Sequence, residues 1–284
     1  MPYTDHFITT NRINLHFIEY NPQKNKPVLI LMHGLTANAH AFDGLISRGL
    51  AQHFRVISPD LRGRGHSEKP VFKYGLKHHA KDIIGMMDQL GIEKAFIGGH
   101  SFGGLLSVYL ANHFPDRIEK LVILDAAAEM NAKVPEMLMP ILKRLDRIFP
   151  SFEHYIDYAK AAPQNNFWEE EMKTYYRADV RTLPDGSVRS YSSLDKMIKV
   201  AIGVANQPWR SLFSDVRQPA LLINGPDIYN MGEPILPDFK ARESASLLPD
   251  GHYVRVDGNH QTMLYGDGAT QIVDAILRFA GNER

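Results

Sequence analysis

The spacing of apolar residues predicts a sheet that begins with a hairpin and continues as buried strands. Between residues 5 and 20, apolar and polar residues alternate on the far side of a turn at Asn11-Arg12, which is typical of paired antiparallel strands. An unbroken apolar run follows at 27–33, which is typical of a strand covered on both faces. Further predicted strands lie at 54–58, 94–98, 120–125, 220–223 and 252–256.

Helical patterns lie between these runs. They begin near Ala39, Leu76, Ser101, Pro237 and Gly268 and end near Leu50, Leu90, Pro115, Leu248 and Ala280. A regular alternation of strands and helices favours parallel pairing with helices on both faces of one sheet. We therefore expect an α/β fold with a mostly parallel, eight-stranded sheet.

This alternation stops between residues 127 and 213. Helix-like patches occur there at 137–148, 152–162, 167–176 and 194–204, with no strong strand pattern. A structureless connection of that length is rare in a compact domain. We expect residues 1–126 and 214–284 to form the α/β core, with 127–213 inserted after the sixth strand as a helical cap over the sheet.

The strongest chemical motif is Gly99-His-Ser-Phe-Gly103, which lies between an apolar strand and a buried helix. A G-x-S-x-G sequence in a strand–turn–helix context predicts a nucleophile elbow, which lifts the serine hydroxyl clear of both elements. Gly99 and Gly103 are needed because side chains there would collide where strand and helix cross. Ser101 is therefore the predicted nucleophile.

Composition excludes several classes of function. Lys plus Arg and Asp plus Glu each number 32, so no net field favours nucleic acid or an anionic membrane. There is no cysteine, which excludes disulfides, thiolate metal sites and a cysteine nucleophile. The first residues do not resemble a signal peptide, and no segment has the length of a membrane span. We expect a cytoplasmic protein without nucleic-acid partners.

Four motifs together resemble the α/β-hydrolase superfamily over nearly the whole chain. They are His33-Gly34, the loop Pro59–Ser67, the Gly98–Gly104 elbow and Gly258-Asn-His260. The resemblance is to the cap-bearing branch that contains esterases, lactonases, haloperoxidases and carbon–carbon-bond hydrolases. It implies a fold and a hydrolytic site, but one fold hosts many chemistries.

The resemblance implies a triad in the chain order serine, acid, histidine. His260, in the loop after the last strand, is the expected base, whereas His33 and His100 are expected to support the neighbouring turns. The acid usually follows the strand after the cap, where Asp227 lies one residue short of the common spacing. Asp125, at the end of the preceding strand, is the alternative acid, and Glu129 is a third.

An acyl-transfer site also needs donors for the carbonyl oxygen. We expect the backbone amides of Phe102, which opens the helix, and of Leu35, after His33-Gly34, to supply them. We interpret the 59–67 loop as structural, with Asp60 and Arg62 fixing it by charged hydrogen bonds. No cofactor or metal site is expected, since adjacent His78 and His79 point apart on a helix.

These residues predict a serine hydrolase that acts on a small carboxylic ester or lactone with an apolar acyl or ring group. Hydrolysis of a carbon–carbon bond and a perhydrolase reaction are alternatives on the same site, although Arg181, Arg189 and Arg210 do not suggest a carboxylate clamp. A non-catalytic binding protein is a further alternative. A serine at 101 disfavours dehalogenases and epoxide hydrolases that use aspartate. The number of subunits is left open.

Overall fold

A computed structural model describes residues 2–281 of the chain, which contain eleven strands and eleven α-helices. The strands are β1 (Tyr3–Thr10), β2 (Ile13–Tyr20), β3 (Val28–Met32), β4 (Arg55–Pro59), β5 (Ala95–His100), β6 (Ile118–Leu124), β7 (Ile148–Phe149), β8 (Val180–Thr182), β9 (Val188–Ser190), β10 (Ala220–Asn224) and β11 (Gly251–Arg255). The helices are α1 (Asp43–Ser47), α2 (Leu50–His53), α3 (Leu76–Gln89), α4 (Phe102–His113), α5 (Val134–Arg144), α6 (Phe152–Lys160), α7 (Glu170–Asp179), α8 (Leu194–Ala205), α9 (Trp209–Ser214), α10 (Asp238–Leu247) and α11 (Gly266–Ala280).

Eight strands form the large sheet in the order β1-β2-β4-β3-β5-β6-β10-β11. The first hairpin is antiparallel, β2 pairs antiparallel with β4, and every later pairing is parallel. Asn11 and Arg12 both have positive φ, as the tight two-residue hairpin turn requires. The predicted mostly parallel, eight-stranded sheet is confirmed.

The sheet divides the core into two apolar layers because successive strand side chains face opposite sides. Ile30 and Met32 of β3 pack in a cluster with residues of α3 and α4. Leu29 and Leu31 pack in a second cluster with residues of α1 and α11. Burial on both faces explains why the central strands are continuous apolar runs in the sequence.

The helix expected from about Ala39 to Leu50 is instead three short segments. A 3₁₀ turn at Ala39–Phe42 leads into α1, and Gly49 separates α1 from α2. Gly49 has a φ of 97°, which ends the helical path before Leu50. The apolar pattern survives this break because all three segments pack on the same sheet face.

The segment between β6 and β10 holds α5 to α9, as expected for an insertion after the sixth strand, but it is not wholly helical. Strands β7, β9 and β8 form a small antiparallel sheet within it. Arg144 of α5, Tyr155 of α6 and Asp179 of α7 meet in a buried hydrogen-bonded group that ties three cap helices together.

Among residues 2–281, no helix is both long enough and apolar enough to cross a bilayer.

Candidate active site

Ser101 occupies the sharp turn between β5 and α4. Its backbone has φ 56° and ψ −116°, a conformation that residues other than glycine rarely adopt. The Ser101 amide donates to the Leu124 carbonyl at 2.9 Å, which anchors the turn to the end of β6. The side chain is partly exposed to a cavity, as a nucleophile elbow requires.

The glycines that flank this turn are fixed by close backbone approach. A methyl group on Gly103 would lie 1.8 Å from the Met32 carbonyl oxygen. On Gly99 it would lie 2.5 Å from that same oxygen and from the Gly103 carbonyl carbon. Strand β3, strand β5 and helix α4 therefore cross at a distance that only glycine permits.

His260, in the loop after β11, lines the same cavity as Ser101. Its Nδ1 lies 2.6 Å from Oδ2 of Asp125, and its backbone carbonyl accepts a 2.7 Å hydrogen bond from Nε2 of His100. In the neutral tautomer that donates from Nδ1 to this carboxylate, Nε2 is a proton acceptor. The Ser101 side chain makes no capping hydrogen bond to α4. Hydrogen bonds between a nucleophilic serine and its base often shorten only when substrate binds.

The carboxylate beside His260 belongs to Asp125. The side chain is completely buried, and its Oδ1 accepts from Nδ2 of Asn224 at 2.7 Å and from the Gly225 amide at 3.1 Å. Both carboxylate oxygens are therefore engaged, which fixes the orientation of the imidazole that Oδ2 holds.

The expectation that Asp227 contacts His260 is wrong. Asp227 is exposed, and its Oδ2 accepts from the Gly258 amide at 3.1 Å. Glu129, the third alternative, pairs at the surface with Lys240. Asp125 contacts His260 instead. It lies at the end of β6, directly beside β10, where Asn224 and Gly225 hold its carboxylate. The sequence indicated that Asp227 is misplaced for this contact, because it lies one residue short of the common spacing.

The turn after β3 brings Leu35 next to the elbow. A methyl group on Gly34 would lie 3.6 Å from the Ser101 Cβ, so the chain passes close to the nucleophile. Among the described residues, the amides of Leu35 and Phe102 donate to no protein acceptor. Two unpaired donors beside a serine are suited to hold a developing oxyanion.

His33 and His100 support the two turns, as expected. Burial, with the charge of Arg64, lowers the pKa of His33 to about 4, so the ring is neutral at pH 7. Its Nε2 accepts from the Leu61 amide at 3.0 Å, and its Nδ1 donates to the Gly34 carbonyl at 2.8 Å. Burial, with the neighbouring His260, lowers the pKa of His100 well below its usual value.

The 59–67 loop is structural, as expected from its sequence. Asp60 accepts from the Ala39 and His66 amides and pairs with Nδ1 of His16 at 2.7 Å. Burial acts to raise the pKa of Asp60, but the His16 hydrogen bond and charge outweigh it and lower that pKa. Arg62 forms a buried ion pair with Asp82, which joins the loop to α3.

In residues 2–281 no group of three or more His, Asp or Glu side chains is arranged to hold a metal ion.

A cavity of about 400 Å³ lies beside Ser101, between the ends of the sheet strands and the segment that joins β6 to β10. Of the cap aromatic and apolar residues, those that line it include Leu138, Ile141, Tyr158, Tyr175 and Tyr176. Other large cap residues, such as Met137, Tyr155 and Met197, are completely buried in the core of the protein. The wall is thus mostly apolar with several tyrosine rings.

One charged residue in the cavity wall, Arg144, was missed in the sequence. Its Nη1 is paired with Asp179, and the side chain is 8% exposed at the cavity. The candidates Arg181 and Arg210 are exposed, and Arg189 pairs with Asp146. Its position in the sequence could have indicated burial. Arg144 follows the buried Met137 by seven residues and therefore lies on the same face of α5.

Comparisons with known proteins show the family and the fold of the chain. A family model for the alpha/beta hydrolase fold matches residues 27–267. The chain is 28% identical over 225 residues to the 2-(acetamidomethylene)succinate hydrolase of Mesorhizobium japonicum, covering 78% of this chain and 79% of that protein.

Two solved structures have the same fold. The crystal structure of E-2-(acetamidomethylene)succinate hydrolase superposes with a TM-score of 0.84 at 24% identity and covers 99% of this chain and 100% of its own. The enol-lactonase from Burkholderia xenovorans LB400 superposes with a TM-score of 0.73 at 23% identity and covers 97% and 100%.

Proposed function

Because the chain belongs to the alpha/beta hydrolase family, we propose that it is a serine hydrolase that cleaves a carboxylic ester or lactone through an acyl-enzyme. The observation that carries this proposal is the buried hydrogen bond between Asp125 and His260 beside the strained Ser101. In this assignment Ser101 is the nucleophile, His260 the general base and Asp125 the acid that orients it.

The first half of the reaction forms the acyl-enzyme. Ser101 Oγ attacks the carbonyl carbon while its proton passes to Nε2 of His260, and Asp125 stabilises the resulting imidazolium. The Leu35 and Phe102 amides hold the oxygen that becomes negative. The intermediate then expels the alkoxide, which takes the proton from His260 and leaves as an alcohol.

The second half repeats these steps with water. His260 accepts a proton from the attacking water, the tetrahedral intermediate collapses, and Ser101 recovers its proton as the acid product leaves. In a lactone the alcohol and acid belong to one molecule, so the product is a single hydroxy acid.

Replacement of the nucleophile tests this function. We expect the wild-type protein to hydrolyse short p-nitrophenyl esters and to form a fluorophosphonate adduct on Ser101, and Ser101→Ala to do neither. Retained hydrolysis in Ser101→Ala would refute the mechanism. Absence of the adduct on folded wild-type protein would favour a non-catalytic binding role.

Arg144 favours a second candidate, hydrolysis of a carbon–carbon bond in an acidic substrate on the same triad. The cavity wall presents this guanidinium near tyrosines, and guanidinium groups bind carboxylates well. The relative from Mesorhizobium japonicum is named for a succinate derivative, which is a dicarboxylate. A perhydrolase reaction has no comparable support.

Substrate charge and bond type separate these candidates. We expect succinate mono-p-nitrophenyl ester to exceed p-nitrophenyl butyrate in kcat/KM if Arg144 binds a carboxylate, and Arg144→Lys to reduce that ratio. A vinylogous diketone that is cleaved faster than either ester would favour the carbon–carbon reaction. A preference for the neutral ester would leave an apolar ester or lactone as the substrate.

A further inference from the structure

Arg64 is a completely buried arginine without a carboxylate partner among the described residues. It lies in the loop after β4, two residues from Arg62, which has Asp82 as its counter-ion. Arg64 instead donates through Nη1 to the Arg62 carbonyl at 2.7 Å, and Nη2 has no partner among residues 2–281. Burial of a charge without a counter-ion is destabilising, so this arrangement needs a compensating benefit.

The residues around Arg64 leave its charge uncancelled. Its Nη1 lies 2.8 Å from Nε2 of His79, whose Nδ1 bonds the Gly75 carbonyl at 3.2 Å. Burial and the charge of Arg64 lower the pKa of His79 well below its usual value, so this ring is neutral. Burial lowers the pKa of Arg64 only to about 9, which leaves the guanidinium charged at pH 7.

The same guanidinium contacts both residues whose amides are the proposed oxyanion donors. Its Nε donates to the Leu35 carbonyl at 2.9 Å, and its Cζ lies 5.2 Å from the centre of the Phe102 ring. His79 packs edge-on against that ring, with 5.0 Å between the ring centres. Arg64 thereby links the turn after β3 to the first residue of α4.

We propose that Arg64 is a positioning residue that fixes the Leu35 and Phe102 amides and places an uncancelled positive charge behind the oxyanion they hold. This inference rests on the proposed function. The charge attracts the transition state more than the neutral substrate, because the carbonyl oxygen is negative only in the former. Its removal should therefore lower kcat with little change in KM.

An alkyl boronic acid measures this effect without turnover. When Ser101 Oγ bonds to boron and its proton passes to His260, the adduct is a tetrahedral anion with one oxygen between the two amides. We expect Arg64→Met to weaken inhibition by butylboronic acid by about 10- to 100-fold, comparable with the loss of one oxyanion donor or less. The kcat for p-nitrophenyl butyrate should fall by a similar factor, while KM changes by less than about twofold.

Two further variants separate positioning from stability. Arg64→Lys keeps a charge but cannot contact Leu35 and Phe102 at once, so we expect about tenfold weaker boronate binding. Arg62→Lys is the matched control, a buried arginine of the same loop, and should lower the melting temperature while boronate affinity stays at the wild-type value.

The outcomes distinguish this proposal from the one on which it rests. If wild-type protein binds no boronate and forms no fluorophosphonate adduct, the proposed function is wrong. The role of Arg64, which depends on that function, is then wrong as well. If wild-type protein binds boronate and folded Arg64→Met binds it equally well, only the role of Arg64 is overturned. Should Arg64→Met not fold, wild-type boronate affinity in Arg64→Lys overturns it.

Discussion

Two residues of the proposed triad share an unusual backbone feature. Ser101 and Asp125 both have positive φ, at 56° and 49°, which costs about 1–3 kcal/mol at each non-glycine position. Each is the first residue beyond a strand, and each donates its amide to the neighbouring strand, Ser101 to Leu124 and Asp125 to Ile223. These bonds across β5, β6 and β10 hold the strained residues at one edge of the sheet.

Replacement of the acid tests the assignment of Asp125. Asp125→Asn removes the carboxylate that holds His260 Nδ1 and stabilises the imidazolium, so we expect kcat on p-nitrophenyl esters to fall by about 1,000-fold or more. Asp227→Asn is the matched control, since this exposed side chain keeps an oxygen for the Gly258 amide. Its kcat should stay within about twofold of wild type, and the reverse ranking of the two variants would return the role to Asp227.

The residue scale also shows where sequence reasoning fails. Ser101 and the Leu35 turn were predicted from local motifs, in which a few adjacent residues determine the geometry, and His260 was predicted from its loop after the last strand. Asp125 and Arg144 depend on which strand ends and helix faces meet in space. Asn224 holds Asp125 from 99 residues away, and no local spacing reports that contact.

At the scale of elements, long periodic segments were predictable and short ones were not. Helix α3 was expected from Leu76 to Leu90 and runs from Leu76 to Gln89. Strands β7, β8 and β9 have two or three residues each, too few for a pattern of alternation to appear. Asp185-Gly186, in the turn between β8 and β9, was the available hairpin signal, and Gly186 has a φ of 84°.

Two helical glycines give a matched test of the elbow. Gly103→Ala places a methyl group 1.8 Å from the Met32 carbonyl, which backbone atoms cannot accommodate, so we expect a loss of at least about 3 kcal/mol in the free energy of unfolding. In Gly203→Ala the nearest atom lies 3.8 Å away, and alanine should stabilise α8 by about 0.5–1 kcal/mol. Urea unfolding at pH 7 measures both changes, and a stable, active Gly103→Ala protein would contradict the close crossing of β3 and α4.

On the scale of the whole molecule, buried histidines collect around the end of the sheet where Ser101 and His260 lie. His33, His79 and His100 are each fully enclosed, or nearly so, and each supports a turn or a buried charge near Ser101. The fold class followed from the sequence because it depends on summed hydrophobic patterning. The protonation states of these histidines depend on enclosure by several elements at once.

This enclosure predicts how stability depends on pH. The pKa of His33 is lowered to about 4, and those of His79 and His100 lie well below the usual 6.5. Below pH 6.5 the unfolded chain therefore binds protons that the folded protein excludes, and stability falls as pH falls. The pKa of His16 is raised by its carboxylate partners despite burial, so its contribution is complete below 6.5 and is lost only at higher pH.

The three enclosed histidines alone give a slope of about 4 kcal/mol per pH unit once all three titrate in the unfolded chain, and the lowered pKa values of His66 and His78 act in the same direction. We therefore expect the urea midpoint to fall steeply between pH 6.5 and 5.5. His79→Gln, whose amide can still accept from Arg64 and donate to Gly75, should reduce the slope by about 1.4 kcal/mol per pH unit, one proton's share. A midpoint that stays constant from pH 7 to 5.5 would mean that these rings take up protons while the protein is folded. That result would contradict the neutral state assigned to the three histidines near Ser101.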